Sequence, residues 1–445
     1  MIDRLIHDAA REVPSSEFVA GSGGSFTYQG AAQIIDRVAA QLQRRGVTRL
    51  AFHVQDSPRL ILLLCACAAA GVDACALDRS WPANDVAETL RRFELPILVA
   101  DSDLSIDGAQ VIRIDQFFSG AENAQPTPPP SQSRLLILTS GTTGVPKGAW
   151  YTWDRLIAQS RPSPRWTGLR WLLAYHLNHF AALHMLAHVI ANRGCIVVPA
   201  SGSVTDAVAA LEEQRVQCIS ATPTFWRQLL AQLERDRARS LPVRQVTLGG
   251  EAVPSGLIER LQDYFPHARI SQVFATTESG SCLSVRDGRE GLPASLLEEG
   301  QVRIVEGELH VPAAHGMLGY FGDAPVENGW WPTGDLVELR GDRIHFVGRK
   351  SEVINVGGVK VHPLPVEQVV QSVPGVTAAH CYGRANPVSG QIVAVDVVPA
   401  PGVDRAALET AIHQAVASLP RHAQPRLVRF VEQLETVNRK VLRRS

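Results

Sequence analysis

The sequence carries no surplus of charge of either sign: 43 Lys and Arg stand against 44 Asp and Glu, a formal net charge of -1 at pH 7. A chain so balanced has no overall field with which to gather nucleic acid or anionic lipid, so a small-molecule partner suits it better. Cysteine is sparse and unpatterned. The nearest pair of the seven, Cys65 and Cys67, lies in the apolar run LILLLCACAAAG with no second Cys or His pair at metal-site spacing, which favours small buried hydrophobes in a reducing cytosol over a metal or disulfide role. Long apolar runs are missing too: residues 61–70 are apolar but too short to cross a bilayer and suit a core helix. The opening stretch MIDRLIHDAAREVPSS reads as an amphipathic helix ending at Pro14 and lacks the apolar segment of a signal peptide. There is no convincing internal repeat. The expected compartment is the cytoplasm, with no membrane or nucleic acid as partner.

What is present is enough chain for two or three domains, since 445 residues exceed a single core. From residue 25 onward, helical patterns alternate with short β-rich runs such as LAFHV, PILVA and LLILT, the signature of parallel sheets covered on both faces. Residues 121–133, AENAQPTPPPSQS, read as a surface linker within the large domain. Beyond about residue 300 the texture turns to short alternating strands, QVRIVEGELHV and then LVELRGDRIHFVGR with its Gly-Asp turn, so antiparallel β is expected there. From residue 352 a small α+β unit follows, and Gly348 to Ser351 is the natural hinge.

The stretch RLLILTSGTTGVPKGAW, residues 134–150, sets an apolar run against a loop of glycines and hydroxyls closed by one lysine. It is not a Walker A loop: Pro146 precedes Lys147, and no Ser or Thr follows it. The ingredients for a polyphosphate are nonetheless there. Gly141, Gly144 and Gly148 allow backbone torsions that turn N–H groups inward, Thr139, Ser140, Thr142 and Thr143 offer hydroxyls, and Lys147 offers a cation.

This loop resembles the phosphate loop of the adenylate-forming superfamily: acyl- and aryl-CoA ligases, nonribosomal adenylation domains and luciferases. FTYQGAAQIIDRVAAQLQRRGV and GVDACALDRSWP are similar to that family's opening motifs, and further blocks follow in the expected order over nearly the whole chain. The resemblance implies a large α/β N-terminal domain, residues 1–349, of two parallel-sheet subdomains plus a small β-barrel-like subdomain. A small, mobile α+β C-terminal domain, residues 350–445, would follow. It also implies ATP, Mg2+ and coenzyme A, and conversion of a carboxylic acid to an acyl-adenylate and then a thioester.

Residue by residue, VTLGGEAVP would lay Gly249, Gly250 and Glu251 along the adenine, although a strand-ending turn explains those glycines equally well. VFATTESG would supply Phe274 to the adenine, Thr277 to the α-phosphate and Glu278 as Mg2+ ligand, a hard cation wanting carboxylate oxygen. Ala275 replaces the usual Gly, and Phe274 lacks the hydroxyl of the common Tyr. In WWPTGDLVEL, Asp335 would take both ribose hydroxyls, and Arg349 would reach ribose or phosphate, with a structural ion pair as the alternative. Lys440 in ETVNRKVLRRS falls where the family keeps the lysine that contacts carboxylate and α-phosphate, with Arg439 in place of a usual Gly. LLAYHLNHFAALHML would bring His179 and Phe180 to the acyl pocket, with Gly280, Ser281 and Cys282 as its floor. His184 and His188 are better read as one face of a helix than as metal ligands. Ser351 occupies the hinge position, and Gly357 and Gly358 would admit a pantetheine arm after the small domain turns. Pro365 stands for a common Glu while Glu367 remains.

The KVLRR ending resembles that of CoA ligases, and the shortness of the chain is similar to that of compact aryl- and succinylbenzoate-type ligases, so an acid:CoA ligase is expected. A pocket floor of Gly280, Ser281 and Cys282 would favour a compact, mainly apolar acid, aryl acids included, over a long chain. The rival is a stand-alone adenylation enzyme that hands its acyl group to a carrier protein. A non-catalytic homologue is disfavoured by Lys147, Glu278, Asp335, Arg349 and Lys440 being retained together, and light emission would demand a specialised luciferin.

Overall fold

Side chains alternate along a strand, so a central strand of a layered protein feeds two cores at once. In Arg134–Thr139, Leu135 and Ile137 enter one core and Leu136 the opposite one; in Lys147–Thr152, Ala149 and Tyr151 go one way and Trp150 the other. These strands belong to a seven-stranded sheet in the order Gly319–Tyr320, Lys147–Thr152, Arg134–Thr139, Asp73–Ala76, Arg49–His53, Ile97–Ala100, Gln110–Arg113. A second sheet of eight runs Gly280–Val285, Arg269–Thr276, Gln245–Gly249, Cys218–Ala221, Arg170–Leu172, Cys195–Val198, Glu17–Gly21, Gly24–Thr27. In the eight-stranded sheet the interior pairings are parallel and an antiparallel strand closes each end. In the seven-stranded sheet the strands from Arg134–Thr139 to Gln110–Arg113 pair in parallel, and Lys147–Thr152 and Gly319–Tyr320 are added antiparallel at one end only. The computed structural model describes every residue except Met1, 22–23, 120–125, 130, 140–145, 161, 315, 326–328, 435, 438–439 and 442–445, and describes only the backbone at 281–282, 436–437 and 440–441.

Helices Ile2–Glu12, Tyr28–Arg44, Ser57–Ala70 and Phe180–Ala191 contribute to one continuous core with side chains from both sheets, so they form a shared middle layer. Helix Ser57–Ala70 is apolar on nearly all sides for that reason: ten of its residues are buried, Cys65 and Cys67 among them. Asp56 caps its start by accepting from the Arg59 N–H at 3.1 Å, and Gly71, at φ +75°, ends it. Thr127 and Pro129 of the Pro-rich linker pack back here. A Cβ on Gly71 would lie 2.6 Å from Pro129, and the Gln43 side-chain amide pairs with both backbone groups of Thr127, at 2.8 and 2.9 Å. The outer faces are covered separately, one by helices Val204–Glu213, Pro223–Gln232 and Ser255–Tyr264, the other by Ala83–Arg92.

A five-stranded antiparallel sheet follows, in the order Leu292–Pro293, Arg343–Arg349, Trp330–Arg340, Glu308–Pro312, Arg303–Val305, sharing a core with Leu283 and Val285. After a 3-10 turn at Lys350–Glu352 comes the last unit. Its sheet joins Val359–Val361, Ile354–Val356, Gly390–Pro399 and Val376–Asn386, with Leu427–Phe430 parallel to Gly390–Pro399 and with apolar residues of helices Pro363–Gln371 and Arg405–Val416 packed beneath it.

A polar bridge among the described residues ties this unit to the rest. The Gln368 amide donates to Glu290 Oε1 at 3.1 Å, while Oε2 of the same carboxylate accepts from the Ser255 N–H, also at 3.1 Å, at the start of helix Ser255–Tyr264. The loop carrying Glu290 is itself pinned by Arg343, only 4% exposed, which donates to the carbonyls of Arg289, Glu290 and Gly291 and pairs with Asp287. Among the described residues no helix is long and apolar enough to cross a membrane.

Candidate active site

In open α/β sheets, ligands gather beyond the carboxyl ends of the parallel strands. Thr139 ends Arg134–Thr139 and faces Lys147 as the last rung of an antiparallel ladder, so the glycine- and hydroxyl-rich loop is anchored at both stems. Ser140, Gly141, Thr142, Thr143 and Gly144 lie outside the described residues. Lys147 is exposed, and its ammonium sits 5.2 Å from the centre of the Tyr320 ring. Tyr320 reaches it because Gly319–Tyr320 pairs with Trp150 and Ala149, held on either side by Leu318 N–H to Trp150 O and Phe321 N–H to Gly148 O, both 2.7 Å.

The second stem is Arg269–Thr276. Its terminal Thr276 hydroxyl, 2.7 Å from Ser279 Oγ and accepting the Ser279 N–H at 3.0 Å, makes the turn that projects Thr277 and Glu278. Tyr151 donates to the Thr277 carbonyl at 2.7 Å, so the turn is tied to the strand that begins at Lys147. Tyr320 donates to Glu278 Oε1 at 2.8 Å. Burial first, then the neighbouring Glu278 charge, pushes the Tyr320 phenol up, so it stays protonated and donates. The backbone at Gly316 passes so close that a Cβ there would stand 2.1 Å from the Glu278 carbonyl, and Arg155 fastens that pass by donating to the Gly316 and Met317 carbonyls.

Gly249 ends a neighbouring parallel strand, and Gly250 follows at φ +82°. Glu251 spends one oxygen on the first turn of helix Pro223–Gln232, accepting from the Thr224 N–H and hydroxyl at 3.0 and 2.8 Å. Its Oε1 is buried and accepts nothing from the described residues. One face of Phe274 is already covered by Phe346, stacked at 5.4 Å, which leaves a single face for any flat ligand. Asp335 is buried and pairs with Arg349 across adjacent strands, Nε to Oδ1 at 3.0 Å, so the ion pair weighed from the sequence is present. Beside it, burial raises the Glu308 carboxyl, but the Gly334 N–H at 2.9 Å and Lys350 at 3.2 Å outweigh that and hold it below the usual range.

His179 caps helix Phe180–Ala191 as its preceding residue and is half-buried. Phe180 is core, 5% exposed, packed between Tyr151 at 5.4 Å and the His184 ring at 5.7 Å, so it backs the site rather than facing an open pocket. His184 and His188 line one helix face against Phe180, Trp166 and Trp171, and burial pushes both imidazoles down to about 4. No group of three or more metal-ligating side chains occurs among the described residues. Gly280, at φ +80°, is buried at the start of its strand; the side chains of Ser281 and Cys282 lie outside the described residues. A cavity of about 210 Å3 is lined by Tyr175, His176 and Asn178, residues just before His179 in the chain, together with Ser57, Arg79 and Ser201.

The C-terminal candidates are spread out. Gly357 and Gly358, at φ +60° and +86°, form the turn between Ile354–Val356 and Val359–Val361 and are exposed. Ser351 is exposed in the 3-10 turn, and Lys440 opens the two-residue strand Lys440–Val441, its side chain outside the described residues. Sequence reasoning did not single out Tyr320, Tyr151, Arg155 or Glu308; the pairing that brings Gly319–Tyr320 beside Lys147 joins segments about 170 residues apart and leaves no local pattern.

A profile of the AMP-binding enzyme family matches residues 6–321, and that of the AMP-binding enzyme C-terminal domain matches residues 365–440. The chain is an AMP-binding enzyme. Among curated relatives of this AMP-binding enzyme, feruloyl-CoA synthase from an Amycolatopsis species is 27% identical over 96% of the chain and 94% of its own length. 2-Succinylbenzoate–CoA ligase from Bacillus cereus is 28% identical over 92% and 90%, and syringomycin synthase from Pseudomonas syringae 26% over 91% and 74%. Among solved structures, o-succinylbenzoate CoA synthetase from Bacillus subtilis in complex with its acyl-adenylate intermediate superposes with a TM-score of 0.79 at 22% identity, covering 99% and 96% of the two chains. An ATP-bound enzyme from Rhodopseudomonas palustris superposes with a TM-score of 0.82 at 20% identity, covering 100% and 97%.

The donor set suits a magnesium-bound nucleotide. Glu278 keeps Oε2 unengaged by described residues while Oε1 is fixed, Lys147 stands a strand away, and the buried Oε1 of Glu251, beside the Gly249–Gly250 turn, is an acceptor without a donor among the described residues.

Proposed function

We propose that this AMP-binding enzyme is an AMP-forming acid–thiol ligase: it joins a carboxylic acid to the α-phosphorus of ATP, releases pyrophosphate, and passes the acyl group to coenzyme A. The observation that carries the reading is the convergence on one tyrosine of the lysine closing the hydroxyl-rich loop and the carboxylate after Thr277. Anionic acid and anionic phosphate meet only if the charge between them is offset, and a lysine and a metal-binding carboxylate placed together supply that. The likeness to feruloyl- and succinylbenzoate-CoA enzymes supports a compact, aryl-type acid.

In this reading residues 1–349 bind both substrates and residues 350–445 form the mobile unit. Thr139, Lys147 and the loop between them grip the polyphosphate, and Thr277 lies along the α-phosphate. Asp335, oriented by Arg349, takes the ribose, while the open face of Phe274 and the Gly249–Glu251 turn take the base. Magnesium held by Glu278 would neutralise phosphate oxygens and assist departure of pyrophosphate. Lys440 offsets the charge that builds as the acid attacks. The acid sits by His179 and Gly280. In the thiol step the turn at Gly357–Gly358, now in solvent, comes to the site after rotation about Ser351. A cytoplasmic location fits such substrates.

The test is AMP and pyrophosphate release with Mg2+ over a library of benzoates, cinnamates, hydroxy- and amino-aryl acids and short fatty acids, each with free CoA and, in parallel, with a phosphopantetheinylated carrier protein. Acid-dependent AMP with acyl-CoA as product is the expected result. Thioester formed only on the carrier makes the acceptor a protein, and no AMP with any acid refutes the ligase reading.

A further inference from the structure

Tyr320 touches two charged groups of opposite sign through two different parts of its side chain. Its hydroxyl donates to Glu278 Oε1 at 2.8 Å, and its ring faces the Lys147 ammonium at 5.2 Å from the centroid. A phenol is one of few side chains that can do both at once, the O–H serving a carboxylate in the ring plane and the π-face serving a cation above it. The backbone beneath it is held more firmly than a two-residue strand requires. Leu318 and Phe321 bond on either side, Met317 N–H donates to the Glu278 carbonyl at 2.9 Å, and Arg155 grips the two preceding carbonyls. Tyr320 is half-buried and packs against the middle core, so its ring has little freedom to leave.

We propose that Tyr320 is the positioning residue of the polyphosphate and metal site, setting the spacing between Lys147 and the Glu278 carboxylate through its ring face and its hydroxyl. The assignment rests on the reading of this site as a binder of magnesium-bound ATP. Without the hydroxyl, Glu278 keeps its place in the turn but loses the bond that selects its rotamer. Without the ring, Lys147 loses the surface that keeps its flexible stem beside the loop.

Two substitutions separate the two contacts. Tyr320→Phe deletes the hydroxyl and keeps the ring; Tyr320→Leu deletes both. Each full-length variant is titrated with a fluorescent, non-hydrolysable ATP analogue at a series of Mg2+ concentrations and with Mg2+ chelated, and its thermal midpoint reports folding. Tyr320→Phe is expected to raise the Mg2+ concentration for half-maximal binding about 5–10-fold while leaving Mg2+-free affinity within about 2-fold. Tyr320→Leu is expected to weaken Mg2+-free binding as well, roughly 3–5-fold. A packing role alone would lower the midpoint without separating the two conditions. Wild-type Mg2+ dependence in Tyr320→Phe, or Mg2+-free affinity in Tyr320→Leu equal to that of Tyr320→Phe, overturns the assignment while leaving the nucleotide reading intact. If the wild-type chain binds the analogue in neither condition, the nucleotide reading falls and this assignment falls with it.

Discussion

Arg349 and Asp335 face each other across two adjacent antiparallel strands, the guanidinium Nε 3.0 Å from a carboxylate oxygen that is largely shut off from water. The arginine is half-exposed, so one side of its fork holds the aspartate while the other remains available to a ligand. Asp335→Ala is therefore expected to raise the KM for ATP about 10–100-fold, the loss of one to two charge-assisted hydrogen bonds, with a smaller change in KM for the acid. Steady-state pyrophosphate release at saturating acid measures it, and an unchanged KM for ATP would remove Asp335 from the nucleotide site.

Lys440→Ala is expected to lower acid-dependent pyrophosphate release about 100–1,000-fold, the scale of one lost oxyanion-type contact, with nucleotide binding and thermal midpoint close to wild type. Undiminished release would mean that the tail lysine plays no part in adenylation.

Gly316→Ala places a methyl group where the Glu278 carbonyl already stands. The turn must move or the strand must, at a cost of about 1–3 kcal/mol. Both the thermal midpoint and the Mg2+ dependence of pyrophosphate release should shift together; a variant that is merely less stable, with wild-type Mg2+ dependence, would uncouple the two segments.

Acid should destabilise the protein through His184 and His188. Their folded values near 4 lie below the ordinary 6.5, so the unfolded chain binds protons first, and stability present above pH 6.5 is lost as pH falls toward 4. At pH 5 each contributes a loss of about 2 kcal/mol. His7 works the other way. Its hydrogen bond to Asp36, opposed by burial, raises it to about 9, so that contribution is complete below pH 6.5 and fades as pH climbs through 9. Urea midpoints from pH 5 to 10 should trace a dome, and His184→Leu should flatten its acid side.

Much of this was readable from the residues. Glycines and hydroxyls closed by Lys147, the Thr277–Glu278 pair and the Gly334–Asp335 turn are local patterns, because each answers to backbone torsion or charge at one place in the chain. The helices did as well: Ser57–Ala70 is apolar all round, and that composition alone buries it. What escaped was long-range pairing. Phe274 is visible as an aromatic, but that Phe346 claims one of its faces is decided by how two sheets meet. Phe180 is visible as an aromatic after His179, but that its ring is buried against Tyr151 is decided by a distant strand. Arg343 looks like one more charge in a hairpin, yet three carbonyls and Asp287 surround it. The strand Val376–Asn386 has no clean alternation and carries Gly383 where the Gln391 side chain crosses over it, so its ten-residue partner, Gly390–Pro399, was the legible half of the pair.

The carboxylate of Glu290 answers to two masters, a helix start on one side of the proposed hinge and an amide on the other. Were the small unit to rotate as proposed, the helix start would keep its grip as the amide departed, undocking would strand no naked charge, and the neutral glutamine would be readily rehydrated. Such a joint would then act as a detent: firm enough to register one pose, shallow enough to be slipped on every turnover.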